Sequence, residues 1–125
     1  MYRVPTRLLD DPAVGEAQLE AASVLFARTG ATGGTAMDAA GNIYASNNDT
    51  SSILKITPQG QMTTFVQDPR LVWGDAMWID EQGYLWIPAA QLNRVGAYQG
   101  PGSVPAVQYP VRLFKIQTGQ RPLRR

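Results

Sequence analysis

A repeat of about forty residues constrains the fold of this chain more than any other feature. Gly34–Tyr44 aligns with Gly74–Trp86 at an offset of 40 to 42 residues. Each copy holds a short apolar run, an Asp-x-x-Gly turn and a second run that ends in an aromatic residue. Asp at the first and Gly at the fourth position favour a type I turn, because the Asp side chain binds its own backbone and Gly accepts the exit conformation. Each copy therefore predicts a β-hairpin.

A second hairpin follows the first copy of the repeat. Ile53–Thr57 and Met62–Val66 are rich in β-formers, and Pro58 and Gly60 between them supply the dihedral angles of a tight turn. Two hairpins in about forty residues make a four-stranded antiparallel unit, and this period is typical of propeller blades. Strand patterns of the same kind recur near both ends of the chain, at Tyr2–Thr6, Val24–Phe26 and Phe114–Gly119.

These patterns predict an all-β fold, a partial β-propeller of about two and a fraction four-stranded antiparallel blades with one short helix. We expect a single propeller-fragment domain over residues 1–125. Its predicted parts are the end of one blade plus the short helix (1–28), a complete blade (33–67), most of a third blade (73–119) with a long loop (94–110), and a basic tail (120–125). The alternative is a small open sandwich whose turn spacing is coincidental.

The composition excludes several kinds of chemistry. The chain has no cysteine and no histidine, so a thiol nucleophile, an imidazole base and a Cys/His zinc site are all ruled out. No window of about 18 apolar residues is present to span a membrane, and residues 1–12 are too polar for a secretory signal. We therefore expect no membrane partner, and the cellular compartment stays open.

Charge is distributed unevenly along the chain. Residues 1–81 hold five basic and ten acidic side chains, whereas residues 82–125 hold six basic side chains and no acidic one. The basic residues are scattered and no RNA-binding motif accompanies them, so we expect no nucleic-acid partner. The sequence indicates a basic tail that is solvated or that pairs with the acidic part of a neighbouring chain.

Several segments together resemble the C-terminal third of the major royal jelly / yellow family. The segments are Tyr2–Thr6, Asp38–Tyr44, Gln67–Trp73 followed by Asp75, Gly83–Trp86 and Gln91–Arg94. The resemblance covers about residues 2 to 119 and implies a six-bladed propeller of several hundred residues, of which this chain would supply the last two and a fraction blades. Gly74 stands where the family usually has Pro. Relatives in this family are often exported.

A more distant resemblance concerns Asp75. Asp75-Ala76-Met77 resembles the first-strand motif Asp-Gly-Met of gluconolactonase and regucalcin propellers, apart from Ala76. In those proteins the leading Asp binds a divalent metal on the propeller axis, which implies Asp75 as a metal ligand and a divalent cation such as calcium as a cofactor. Thr35 occupies the equivalent place in the preceding repeat. Asp75 is read equally well as a turn cap.

Other polar residues are candidates for ligand binding. Asn47 and Asn48 follow a predicted strand, and the resemblance to yellow-type propellers implies that they line a small-molecule pocket with Thr35. Gln91 and Asn93 are weaker candidates of the same kind. Ordinary turn chemistry accounts for such residues as well, and no catalytic residue is predicted.

The predicted function follows from the incomplete ring. Propeller blades bury both faces against their neighbours, so a fragment leaves apolar faces and strand edges open. We expect a non-enzymatic binding or scaffold module of the royal jelly / yellow type that forms a homo-oligomer, a trimer or a dimer, or that pairs with missing blades. The alternative is a fragment of a metal-dependent lactone hydrolase of the gluconolactonase type.

Overall fold

The strands of this protein form three small antiparallel sheets. The computed structural model describes residues 1–123. The first sheet pairs β1 (Tyr2–Arg3) with β2 (Val24–Leu25); the second holds β3 (Thr35–Met37), β4 (Ile43–Asn47), β5 (Ser52–Ile56) and β6 (Met62–Gln67); the third holds β7 (Trp78–Ile79), β8 (Tyr84–Ala89) and β9 (Arg112–Gln117). Spatial order follows chain order within each sheet. The predominantly β fold confirms the predicted class, and open meanders of this kind are consistent with a partial propeller.

The Asp-x-x-Gly repeat builds the same turn twice. Asp38 connects β3 to β4, and its Oδ1 accepts hydrogen bonds from the amides of Ala40 and Asn42 at 3.0 and 2.9 Å. Asp80 connects β7 to β8, and its Oδ1 accepts from the amides two and four residues later at 3.0 and 2.9 Å. Gly at the fourth position has φ of 80° in the first turn and 79° in the second. Only glycine adopts this conformation without strain, which explains its place in the repeat.

The aromatic residue that ends each repeat binds back to the same Asp. The Tyr44 hydroxyl donates to Asp38 Oδ2 at 3.3 Å, and the Trp86 indole donates to Asp80 Oδ2 at 2.7 Å. Both carboxylates are buried. A buried carboxylate is tolerated when its oxygens accept hydrogen bonds, so the aromatic residue six positions after the Asp completes the turn.

One apolar core lies between the second and third sheets. Tyr44 and Ile53 face it from the second sheet, while Leu85 and Ile87 face it from the third. Phe65 packs its ring edge-on against Tyr44, with centroids 5.1 Å apart. The β8 residues alternate between buried and half-buried along the strand, as expected when only one face of a sheet is covered.

The opposite face of the second sheet packs against the N-terminal segment. Ala45 and Ile56 are fully buried there beside Ala27, and Phe26 and Met1 pack around them. The second sheet is therefore covered on both faces, as an interior propeller blade would be.

Helices occupy the segments between sheets. The predicted short helix is present as α2 (Glu16–Ala22). It begins at Glu16 because Gly15 is extended and its amide donates to Gln18 Oε1 at 3.1 Å. A one-turn helix, α1 (Thr6–Leu9), was not predicted. Two single 3-10 turns, Leu92–Arg94 and Gly96–Tyr98, lie at the start of the segment predicted as a long loop (94–110). No helix within residues 1–123 has the length and apolar character needed to cross a membrane.

The basic tail is attached to the second sheet in the part that the structure describes. Pro122 forms a bridge with Asp38, the Ala39 amide donates to Arg121 O at 2.8 Å, and the Leu123 amide donates to Met37 O at 3.2 Å. The backbone of residues 121–123 is therefore hydrogen-bonded to the second sheet, while the Arg121 and Leu123 side chains are exposed. Residues 124 and 125 lie outside the described residues.

Candidate functional site

The second and third sheets approach each other closely where the chain enters their first strands. Gly33 and Gly34 precede β3, and Gly74 lies just ahead of β7. A β-carbon placed on Gly33 would lie 2.4 Å from Gly74 O, and one on Gly34 would lie 2.6 Å from the Ala76 amide nitrogen. Ser46 Oγ accepts from the amides of both Gly33 and Gly34 at 2.8 and 3.1 Å. Only residues without a side chain permit this approach. We call the region the glycine junction.

Three of the residues predicted from sequence border the glycine junction. Thr35 begins β3 directly after Gly34, and Asp75 follows Gly74. The side-chain nitrogen of Asn48, Nδ2, lies 3.0 Å from the position that a Gly33 β-carbon would take. Thr35, Asn48 and Asp75 therefore lie around one junction although they come from three places in the sequence.

Asn48 is unusual within this group. Its Nδ2 and Oδ1 are both buried, and neither has a hydrogen-bond partner within residues 1–123. Its backbone is held, because the Asn48 amide donates to Ala31 O at 2.9 Å. A buried polar group without a partner costs about 1–3 kcal/mol, so the Asn48 side-chain amide is an energetically unfavourable feature beside the glycine junction.

Asn47 lies at the end of β4 and has a local role. Its Oδ1 accepts from the Asp49 amide at 3.2 Å, a side-chain turn typical of Asn. The Asp49 carboxylate in turn accepts from the Ala31 amide at 3.2 Å. The structure thus shows Asn47 shaping the loop next to Asn48.

Asp75 is half-buried and binds its own backbone. Its Oδ1 accepts from the Ala76 amide at 2.8 Å, and its amide donates to Pro88 O at 3.1 Å. Trp73, two residues earlier, has φ of 56°, which is rare for a bulky residue. Among residues 1–123, no three His, Cys, Asp or Glu side chains are grouped so that they could hold a metal ion. The geometry available to Asp75 is that of one carboxylate at a turn.

The other two predicted residues lie elsewhere. Gln91 is buried in a cleft at the end of β8, and Asn93 is exposed in the following 3-10 turn. Gln91 Nε2 donates to Gln108 O at 2.9 Å, while its Oε1 accepts from the Gln108 amide at 3.0 Å and from Arg94 Nη1 at 2.8 Å. The backbone carbonyl of Asn93 accepts a hydrogen bond from Gln99 Nε2 at 2.9 Å.

The cleft beside Gln91 is strongly basic. It has a volume of about 460 Å³ and three arginines, Arg70, Arg94 and Arg112, are among its lining residues, with no carboxylate among them. Arg70 forms an ion pair with Asp68 just outside the cleft, with Nη2 and Oδ2 2.6 Å apart. That pairing lowers the pKa of Asp68 to about 2. We call this region the arginine cleft.

A third feature is the outward face of the third sheet. Trp78 pairs with Trp86, and Trp86 pairs with Lys115, so their side chains share one face. Trp78 is 59 % exposed. Lys115 Nζ lies 4.6 Å from the Tyr84 ring centroid and 5.2 Å from that of Trp86, distances at which a cation is attracted to an aromatic face. We call this surface the aromatic face.

The three antiparallel sheets and their repeated turns define a mostly β protein whose fold is consistent with a partial propeller. A comparison with known protein families matches residues 1–106 to the family described as major royal jelly protein. The match covers more than half of the chain, and the chain belongs to this family. A comparison with curated proteins finds no match.

Sequence reasoning missed the arginine cleft. Arg70, Arg94 and Arg112 are far apart in the chain and lie on three different segments. The predicted loop at 94–110 gave no indication that Gln108 returns to Gln91. The visible signal was the absence of acidic residues after position 81.

Proposed function

We propose that this protein is a non-enzymatic binding or scaffold module that completes its sheets by self-association. The aromatic face is the observation that carries this proposal. In a propeller, the corresponding face of a blade packs against the next blade. Here Trp78 and Leu113, each 59 % exposed, lie on that face, and covering them would remove apolar surface from water at about 25 cal/mol per Å².

The edges of the sheets support the same proposal. In the described residues, β9 pairs only with β8, so its outer edge is open. The first sheet has only two strands, and Tyr2, Val24 and Leu25 are exposed on it. A strand from a second copy that adds to β9 would satisfy backbone groups and bury apolar side chains together.

Charge favours a head-to-tail arrangement of copies. Residues 82–125 carry no acidic side chain, and all ten acidic residues precede them. Arg112 and Lys115 lie on β9, whereas Asp10, Asp11 and Glu16 lie close to the first sheet in sequence. Ion pairs between these acidic residues of one copy and the two β9 cations of the next would favour a heterologous contact. A ring that closes in this way would be a dimer or a trimer.

Small-molecule binding belongs to the same proposal. The Asn48 amide offers two donors and an acceptor at the glycine junction, all without partners in the described residues. A small ligand with its own donor and acceptor would complete them. Thr35 and Asp75 border the same junction and would contact such a ligand.

Sedimentation velocity over a micromolar concentration series tests the self-association. We expect a dimer or trimer that dissociates on dilution and at high salt, because part of the contact is ionic. Trp78→Lys and Leu113→Lys place a charge on the aromatic face and should give monomers. Val104→Lys is the matched control, since Val104 is 80 % exposed in the loop between β8 and β9 and belongs to no strand of that sheet. A well-folded monomer at every concentration would contradict the proposal.

A further inference from the structure

We propose that the arginine cleft binds a small organic anion bearing carboxylate or phosphate groups. This inference goes beyond the scaffold role, because it concerns a site within one chain. The cleft volume of about 460 Å³ lies within the usual range of small-molecule sites, about 300–1,000 Å³. Its walls come from residues 69–72, 89–94 and 108–112, so three separated segments converge on it.

Arg94 is held ready for an anion by a buried amide. Gln91 is 5 % exposed and has φ of 54°, a conformation that a non-glycine residue adopts only when its surroundings enforce it. Every polar atom of its side chain is engaged, and its Oε1 fixes Arg94 Nη1 at 2.8 Å. The remaining guanidinium donors of Arg94 have no partner within residues 1–123, and a guanidinium fixed in this way loses less entropy on binding.

The other two arginines differ in how far they are neutralised. Arg70 pairs with Asp68 and lies over the Phe114 ring, with its guanidinium carbon 5.7 Å from the centroid. No hydrogen bond or ion pair engages the Arg112 side chain in the described part of the chain. Arg94 and Arg112 thus bring two positive charges without a carboxylate into one cleft. Guanidinium groups bind planar carboxylates and phosphates with paired hydrogen bonds, which identifies the chemistry of the ligand.

The remaining walls indicate that the anion has an organic body. Pro69, Val72, Ala89 and Pro110 line the cleft with apolar atoms. Tyr109 also lines it and is 83 % exposed. A bare inorganic ion would leave these walls without contacts, whereas a small organic acid or phosphate ester would fill the cleft.

Isothermal titration of the full chain at low ionic strength tests the proposal, with citrate and inorganic phosphate as anionic probes. We expect saturable binding of citrate and weaker binding of phosphate. Methylammonium is the cationic control and should not bind. Arg94→Gln and Arg112→Gln each remove one charge and should weaken citrate binding by about tenfold or more. Arg112 is exposed and its side chain has no hydrogen-bond or ion-pair partner within residues 1–123, so we expect Arg112→Gln to leave the fold intact.

Arg28→Gln is the matched control, because Arg28 is an exposed arginine that does not line the cleft. Citrate affinity unchanged in this variant and reduced in the two cleft variants supports the site. Absence of binding by both anions at millimolar concentration would overturn the proposal. An equal loss in Arg28→Gln would also overturn it, because the attraction would then come from net charge alone.

Discussion

Asp38 and Asp80 make the same set of hydrogen bonds in two different sheets, and each carboxylate oxygen has a separate role. One carboxylate oxygen receives two amides of the turn, and the other receives the hydroxyl of Tyr44 or the indole of Trp86. Burial raises the pKa of Asp80, but the hydrogen bonds from Trp86 and from the Tyr84 and Gln82 amides outweigh burial and hold that pKa below its ordinary value. The repeat therefore conserves a hydrogen-bonding pattern as well as a turn shape.

Removing the indole donor should destabilise the third sheet. Trp86→Phe keeps an aromatic ring but leaves Asp80 Oδ2 without the partner at 2.7 Å. We expect a loss of about 1–3 kcal/mol in the free energy of unfolding, measured by urea denaturation. Trp78→Phe is the control, because the Trp78 indole makes no hydrogen bond within residues 1–123. Equal losses in the two variants would show that the indole hydrogen bond is unimportant.

The protonation of Tyr44 should make stability depend on alkaline pH. Burial, the charge of Asp38 and the hydrogen bond to Asp38 raise the pKa of Tyr44 from 10.0 to about 12. The folded state thus keeps a proton that the unfolded state releases above pH 10, so this contribution is complete below pH 10 and is lost as pH rises towards 12. Urea titrations across this window should show a shallower decline in Tyr44→Phe than in the wild type. Tyr2→Phe, at an exposed tyrosine, should decline as the wild type does.

Protonation of Asp80 should lower the stability of the folded protein at acid pH. Because its folded-state pKa is lowered, its contribution is present above the unfolded value and is lost as pH falls through the folded value. Asp80→Asn should flatten the fall of stability in the acid range. Urea unfolding curves recorded from pH 7 downwards test this. An equal fall in the free energy of unfolding of the wild type and Asp80→Asn would contradict it.

At the scale of elements, the glycine junction sets how closely two sheets approach. Gly33→Ala or Gly34→Ala would place a β-carbon against the backbone of Gly74 or Ala76. We expect losses of about 1–3 kcal/mol, typical of overpacking, seen as a lower thermal midpoint. Gly15→Ala is the control, because nothing lies within 4 Å of a β-carbon there. A midpoint in Gly34→Ala as high as that of Gly15→Ala would contradict this account.

Calcium binding at the turn before β7 would distinguish the scaffold module from the metal-dependent lactone hydrolase. Asp75 brings one carboxylate and Thr35 faces the same junction, so we expect millimolar calcium to leave the thermal midpoint unchanged. Calcium binding to the folded state would raise it by mass action. A rise that Asp75→Ala abolishes would favour the metal-dependent lactone hydrolase over the scaffold module.

For the whole molecule, the sequence predicted what depends on local patterns. The hairpins follow from Asp-x-x-Gly and Pro-x-Gly turns, and the family follows from short motifs spread along the chain. The arginine cleft and the unpartnered Asn48 depend on contacts between distant segments, which turn chemistry does not encode. Gly74 illustrates the difference. The family resemblance shows only that Gly74 stands where a proline is usual. The structure adds that a β-carbon at Gly74 would lie 3.3 Å from Ser46 Cβ and 3.4 Å from Ile87 Cγ2.

The bridge between Pro122 and Asp38 has a consequence for how the protein is made. The turn after β3 emerges from the ribosome long before its partner residues 121–123 are synthesised, and closing so long a loop carries an entropic cost. A nascent chain stalled before residue 121 would hold the hairpins without this clasp. Protease sensitivity of the turn after β3 in stalled chains would therefore report whether residues 121–123 have joined the second sheet.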